Sequence, residues 1–319
     1  MSALKMKEIK VIANIGAGTM GHATALQFAM NGYPVNLLDM NQAALNHGMD
    51  LIEHDLATFE ENGLIKGNQK ADILARIVPT TDYSDALADA DFVIESVVEK
   101  LAVKKTVWQK VEHYVSEDAI MATNTSGLSP TTIQADLKRP ENLVVTHFWN
   151  PAQLMPLVEV VPGEQTSEVT VKTATALMNH IGKHAVALKK ESLGFVGNRI
   201  QMAVLREAFK IVDDGIASPE AVDDIIKYSL GRRWSLVGPI ASADLGGLDV
   251  FENISSYLYD DLANNTGTDP VLKKLVDAGN LGLKSGQGFY NWEGDMGKEA
   301  IANRDQALLQ LLAEDQKKR

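Results

Sequence analysis

The chain has 319 residues, 45% of them hydrophobic and 23% charged, ordinary globular values at a length beyond one hydrophobic core, so two domains are expected. Its 30 Lys and Arg against 42 Asp and Glu give a formal charge of −12, which argues against nucleic acid or an anionic membrane surface as a partner, since both reward basic surface. With no cysteine there is no disulfide, no thiolate nucleophile and no cysteine-ligated metal centre.

The opening MSALKMKEIKVIANIGAG holds too short an apolar run for a secretory signal, and no stretch of 18 apolar residues follows. A soluble cytoplasmic protein is therefore expected. Residues 9–15 (IKVIANI) form a β-type run that meets GAGTMG at 16–21, and HATALQFAMNG then reads as a helix closed by Gly32. PVNLLD (34–39) is a second β-type run ending in an acid. Residues 41–75 are charged and helically periodic with a break at Glu61-Asn62-Gly63, which predicts a helical hairpin. DFVIESVV (91–98), AIMATNTS (119–126), LVVTHFW (143–149) and LVEVVPG (157–163) alternate with helical stretches, as in a sheet wound with helices. After about residue 189 the β signal stops, and 198–230, 249–264, 270–279 and 300–313 are helix-like.

The loop Gly16-Ala17-Gly18-Thr19-Met20-Gly21 sits between a predicted strand and helix, and Asp39 closes the next strand 18 residues beyond Gly21. This is the dinucleotide fingerprint. Gly16 permits the tight turn, Gly18 lets backbone approach a pyrophosphate, Gly21 allows close packing, and Asp39 accepts from the adenosine ribose. Met40 and Asn41 follow Asp39 with no Arg to meet a 2′-phosphate, which favours NAD over NADP. The expected fold is α/β: a Rossmann-type doubly wound, mainly parallel sheet over 1–189, with the hairpin inserted at about 41–75, followed by an all-helical domain over 190–319.

An open α/β sheet places its ligands at the C-terminal strand ends, where Ser126, His147, Asn150 and Glu159 stand. Alcohol oxidation needs a base that titrates near neutrality, which suits His147, and Glu159 on a neighbouring strand is placed to hold the imidazole and stabilise its cation. Taken alone, His147 is equally a satisfied strand-end histidine, Glu159 a solvated residue of an alternating strand, and Ser126 a helix N-cap.

NTSGL (124–128), HFWNP (147–151), LVEVV (157–161), GFVGNR (194–199) and GQGFY (286–290), in that order, resemble the L-3-hydroxyacyl-CoA dehydrogenase family over residues 9–292. The family includes 3-hydroxybutyryl-CoA dehydrogenases and the related L-gulonate and carnitine dehydrogenases. The resemblance implies His147 as general base with Glu159 its partner, and Ser126 and Asn198 as hydrogen-bonding groups around the substrate oxygen. It also places Glu99, Lys104, Asn150 and Lys284 near the cofactor, puts the active site in a cleft between domains, and pairs the helical domains into a homodimer. Read without it, Glu99 and Lys104 are exposed charges at a strand end and a helix start.

Two features depart from the coenzyme A pattern. On the hairpin, Glu53, Asp55, Glu60 and Glu61 outweigh Lys66 and Lys70, and Pro156 stands where coenzyme A users often carry Lys. LGRRWSLVGP (230–239) is similar to the gulonate and carnitine branch, ADLGGLDVF (243–251) to the 3-hydroxybutyryl-CoA branch. Arg232 or Arg233 is placed either to clamp a carboxylate or to neutralise the end of the preceding helix. Asn14 inside the first strand has no functional account. Glu53-His54-Asp55 lacks metal-ligand spacing, and no metal is expected. Three readings stand: a short-chain 3-hydroxyacyl-CoA dehydrogenase, a dehydrogenase of a free 3-hydroxy acid, and a non-catalytic NAD-binding protein.

Overall fold

A computed structural model describes residues 7–317. Eight strands form one sheet: β1 (Ile12–Ile15), β2 (Val35–Leu38), β3 (Ile77–Thr80), β4 (Phe92–Glu95), β5 (Ile120–Thr123), β6 (Leu143–Phe148), β7 (Leu157–Pro162) and β8 (His184–Ala187). Their order is β3-β2-β1-β4-β5-β6-β7-β8. The first six run parallel, β7 is antiparallel to β6, and β8 is parallel to β7. Helices α1 (Gly21–Met30), α2 (Gln42–Glu61), α3 (Gly67–Leu74), α4 (Tyr83–Leu87), α5 (Leu101–Tyr114), α6 (Pro130–Gln134) and α7 (Glu168–His180) belong to this part of the chain.

The central strands are buried on both faces, as helix-covered parallel strands must be. Ile12 of β1 packs in one core with Leu26, Phe28 and Ile52, whereas Ala13 and Ile15 pack in a second with Trp108 and Val111. The predicted hairpin is α2 and α3. Asn41 caps α2 by accepting from the Ala44 amide at 2.9 Å, and Gly63, at φ +71°, turns the chain after it. Strands β3 and β8 have no counterpart among the predicted runs. Each has four residues with little buried alternation; β3 carries Pro79 and β8 is largely exposed, so pairing at the sheet edges defines them rather than local pattern.

The chain divides into two compact units, one of the residues up to Asn198 with those from Arg304 on, the other of Arg199–Asn303. The division thus falls at 198/199 rather than the expected 189/190, because the intervening residues are bound to the sheet: Phe195 is buried and the Val196 and Gly197 amides donate to Glu159 of β7. The chain end also differs from the expectation, since Leu309 is buried in the sheet unit's core with Leu308 and Leu312 against it. The second unit is helical: α8 (Gly197–Asp213, from Arg199), α9 (Pro219–Tyr228), α10 (Leu230–Val237), α11 (Pro239–Gly246), α12 (Leu248–Leu258), α13 (Pro270–Asp277) and the start of α14 (Met296–Lys317). Among the described residues no helix is long and apolar enough to cross a membrane.

Candidate active site

The strand order reverses between β1 and β4, and in an open α/β sheet that switch point opens a crevice at the carboxyl ends of the strands. The glycine loop lies there. Gly16 has φ +95°, and a Cβ on it would stand 2.8 Å from the Ser96 carbonyl oxygen just beyond β4. A Cβ on Gly21 would stand 1.8 Å from the Gly16 carbonyl oxygen, whereas one on Gly18 would meet nothing within 4 Å. Two glycines therefore close the turn and the third leaves open space above the start of α1, the cradle that a pyrophosphate requires. Asp39 accepts from the Ala17 amide at 2.8 Å and the Met40 amide at 2.6 Å, which holds its carboxylate beside the loop. Asn14 finds its account here: its Nδ2 donates to the Gly16 carbonyl at 2.9 Å and its Oδ1 accepts from Thr24 at 2.7 Å, tying the turn to α1.

His147 and Glu159 are register partners across the antiparallel β6–β7 pair, so their side chains share one face. His147 Nδ1 lies 2.9 Å from Glu159 Oε2, with both side chains buried. Glu159 Oε1 accepts the amides of Val196 and Gly197 at 3.1 Å each, at the start of α8. Burial pushes the Glu159 carboxyl up, but the bond to His147, the two amides and the imidazole's charge together hold it below the usual carboxylate range. An ionised Glu159 accepting from Nδ1 fixes the tautomer, which leaves Nε2 as the nitrogen able to exchange a proton. Phe195, at φ +52°, and Trp149 flank the ring at 5.6 and 5.4 Å between centroids. Such a backbone costs on the order of 1–3 kcal/mol in a residue with a side chain, and it aims the two amides at Glu159.

Ser126 is held from both sides. Its amide donates to Glu99 Oε1 at 2.9 Å and its carbonyl accepts from Asn198 Nδ2 at 2.8 Å. Thr125 Oγ1 donates to the same Glu99 oxygen in a short bond. Glu99 Oε2 meets Lys104 Nζ at 3.2 Å, and Lys104 in turn lies 2.7 Å from Glu95 Oε1, whose second oxygen accepts from Thr123 at 2.7 Å. Ser126 is not a helix N-cap; Ser129 caps α6, accepting from the Thr132 amide.

Residues 11–192 match the model of the 3-hydroxyacyl-CoA dehydrogenase NAD binding domain, and 194–292 that of the family's C-terminal domain. The chain belongs to the 3-hydroxyacyl-CoA dehydrogenase family. It is an NAD-dependent oxidoreductase acting on a CH–OH group. It is 40% identical over 282 residues to a 3-hydroxybutyryl-CoA dehydrogenase of Clostridioides difficile, covering 88% of this chain and 99% of that protein. It is 33% identical over 301 residues to a 5-formyl-3-hydroxy-2-methylpyridine 4-carboxylate 5-dehydrogenase of Mesorhizobium japonicum, covering 94% and 96%. A crystal structure of an enzyme of that description, an NAD+ dependent dismutase, superposes with a TM-score of 0.89 at 32% identity, over 97% of this chain and 99% of that one.

In this family member Ser126, His147, Glu159 and Asn198 lie in the sheet unit that also carries the glycine loop and Asp39, with His147 against Glu159 and Asn198 against the Ser126 carbonyl. Lys104 is not the exposed charge its position at a helix start suggested: its side chain is 1% exposed, on the α5 stripe that also buries Trp108 and Val111. Glu95, its partner, escaped the sequence reading; a carboxylate in the otherwise apolar strand FVIE was the available signal. Asn150 is exposed just beyond β6. Lys284 lies in the helical unit, exposed in a glycine-rich turn at the edge of an apolar cavity of about 550 Å³ lined by Phe209, Leu272 and Tyr290. Arg232 and Arg233 are exposed within α10 itself, Arg232 over the Tyr228 ring at 5.9 Å. Asp55 does not belong to the acidic surface of the hairpin. It is half-buried and paired with His22, which leaves Glu53, Glu60 and Glu61 exposed against Lys66 and Lys70.

Proposed function

We propose that this protein moves a hydride between NAD and C3 of a short-chain 3-hydroxyacyl-CoA, interconverting 3-hydroxybutyryl-CoA and acetoacetyl-CoA or a near analogue. The buried His147–Glu159 pair, at 2.9 Å and in direct register across two strands, carries this reading. When bound by the Gly16–Gly21 loop and Asp39, with Glu99 and Asn150 the further residues we assign to it and Lys104 acting only by holding Glu99, NAD supplies a two-electron hydride acceptor. In the oxidative direction His147 Nε2 takes the hydroxyl proton as the C3 hydrogen leaves with its electron pair, and the C–O bond becomes a carbonyl. Glu159 stabilises the imidazolium so formed. In reduction the carbonyl oxygen gains negative character, and the Ser126 hydroxyl and the Asn198 amide stand as its donors.

A free 3-hydroxy acid is the second reading, favoured by one observation: the hairpin exposes Glu53, Glu60 and Glu61 against Lys66 and Lys70, poor ground for a polyanionic coenzyme. NADH oxidation with acetoacetyl-CoA and, separately, with acetoacetate decides between them. Under the thioester reading kcat/KM for acetoacetyl-CoA exceeds that for acetoacetate by ~10²-fold or more, since binding energy from remote parts of the substrate is used at the transition state. Preference for acetoacetate moves the substrate to the free-acid class, and Arg233 becomes the residue to replace next.

We infer further that the helical unit pairs with a second copy. Helices α8, α9, α10, α12 and α13 bury no residue fully, and Ile225, Tyr228, Leu236, Leu248 and Phe251 are exposed, apolar side chains that a second copy would cover. Light scattering on the eluting protein is expected to give twice the chain mass of 34.7 kDa; a monomer at micromolar concentration would remove this inference.

A further inference from the structure

We propose that His22 is a positioning residue of the dinucleotide loop, braced by Asp55 so that it orients the Gly18–Thr19 peptide toward the pyrophosphate site. This rests on the reading of Gly16–Gly21 as that site. His22 stands in the first turn of α1, directly after Gly21, with its side chain 7% exposed. Its Nδ1 lies 2.9 Å from the Gly18 carbonyl oxygen, which also accepts the His22 amide at 3.0 Å. A carbonyl oxygen has no proton to give, so Nδ1 carries one.

The other ring nitrogen faces a carboxylate. Nε2 lies 3.3 Å from Asp55 Oδ2 of α2. That oxygen is buried and makes no hydrogen bond among the described residues, while its twin accepts from the neutral Gln153 Nε2 at 3.3 Å. A buried carboxylate requires a polar partner, and the His22 ring is the group that stands beside Oδ2.

Two consequences reach the cofactor. The peptide bond is planar and trans, so drawing the Gly18 carbonyl toward the His22 ring points the Thr19 amide the opposite way, out of the helix start where an anion is received. The ring also covers the Asp55 carboxylate, which would otherwise stand buried and unpartnered behind a loop that receives a dianion. The pair is thus a condition for the loop's affinity rather than a part of the chemistry.

NADH titration of the purified protein, followed by tryptophan quenching, tests this together with steady-state kinetics. Binding by the unsubstituted protein tests the loop reading itself; absence of binding would sink that reading and the proposal with it. Given binding, His22→Gln is expected to raise the Kd for NADH ~10-fold or more, as for loss of a buried charge partner, with kcat at saturation within about 3-fold of the parent. Adding Asp55→Asn to His22→Gln removes the stranded carboxylate, and the double variant binds NADH more tightly than the single one. An unchanged Kd in a folded His22→Gln protein, or a double variant no tighter than the single one, would each overturn the proposal.

Discussion

His147→Gln is expected to lower kcat by ~10²-fold or more while NADH binding persists, the signature of a lost general base. The variant keeps a polar side chain of comparable reach against Glu159, so the strand pair and the two amides at the start of α8 retain their carboxylate. What disappears is a nitrogen able to take a proton near neutrality. The dinucleotide loop is bound by Asn14, Thr24 and Asp39 at the β1 side of the sheet and His147 by Glu159 across β6 and β7, which is why binding and turnover separate. Stopped-flow NADH binding beside steady-state turnover measures both quantities. Undiminished kcat in the folded variant would remove His147 from the mechanism; equal loss of binding and turnover would make it structural.

Lys104→Met is expected to cost about 3–5 kcal/mol of stability, because it strands the Glu95 carboxylate, fully buried, without its cation. Thr123 and the Val97 amide continue to donate to Glu95, at 2.7 Å each, but two neutral donors do not replace an ammonium. Replacing both partners, as Glu95→Gln with Lys104→Met, is expected to recover most of the loss, since an absent pair costs less than half of one. The shift of the urea midpoint measures each step. A loss below about 1 kcal/mol in the single variant would mean that water reaches the carboxylate and the pair is not a buried one. The effect extends to the site, because Lys104 also meets Glu99, and Glu99 holds the Ser126 amide.

The local signals in this chain identified much of the architecture. GAGTMG between an apolar run and a helical one, with Asp39 at the end of the next run, predicted strand, turn and helix as they stand, because each of those choices is made by neighbours in sequence: glycine where φ is positive or a Cβ would collide, apolar residues where a strand is buried on both faces. The edge strands β3 and β8 were invisible because little in four half-exposed residues distinguishes a paired strand from a loop.

Partnership was the part that only the tertiary structure decided. Histidine at 147 and glutamate at 159 were legible as an acid/base pair, but their 2.9 Å contact depends on the register of β6 against β7, and a slip of one residue would send one side chain to the opposite face. Lys104 and Asp55 read as surface charges and Asn14 as an oddity, while Glu95 and His22 drew no reading, and all five prove to be buried or half-buried and paired. A polar side chain is stable inside a protein only beside its partner, and the partners here lie on different elements, so the sequence determined which groups are available and the packing of sheet against helices determined which of them meet.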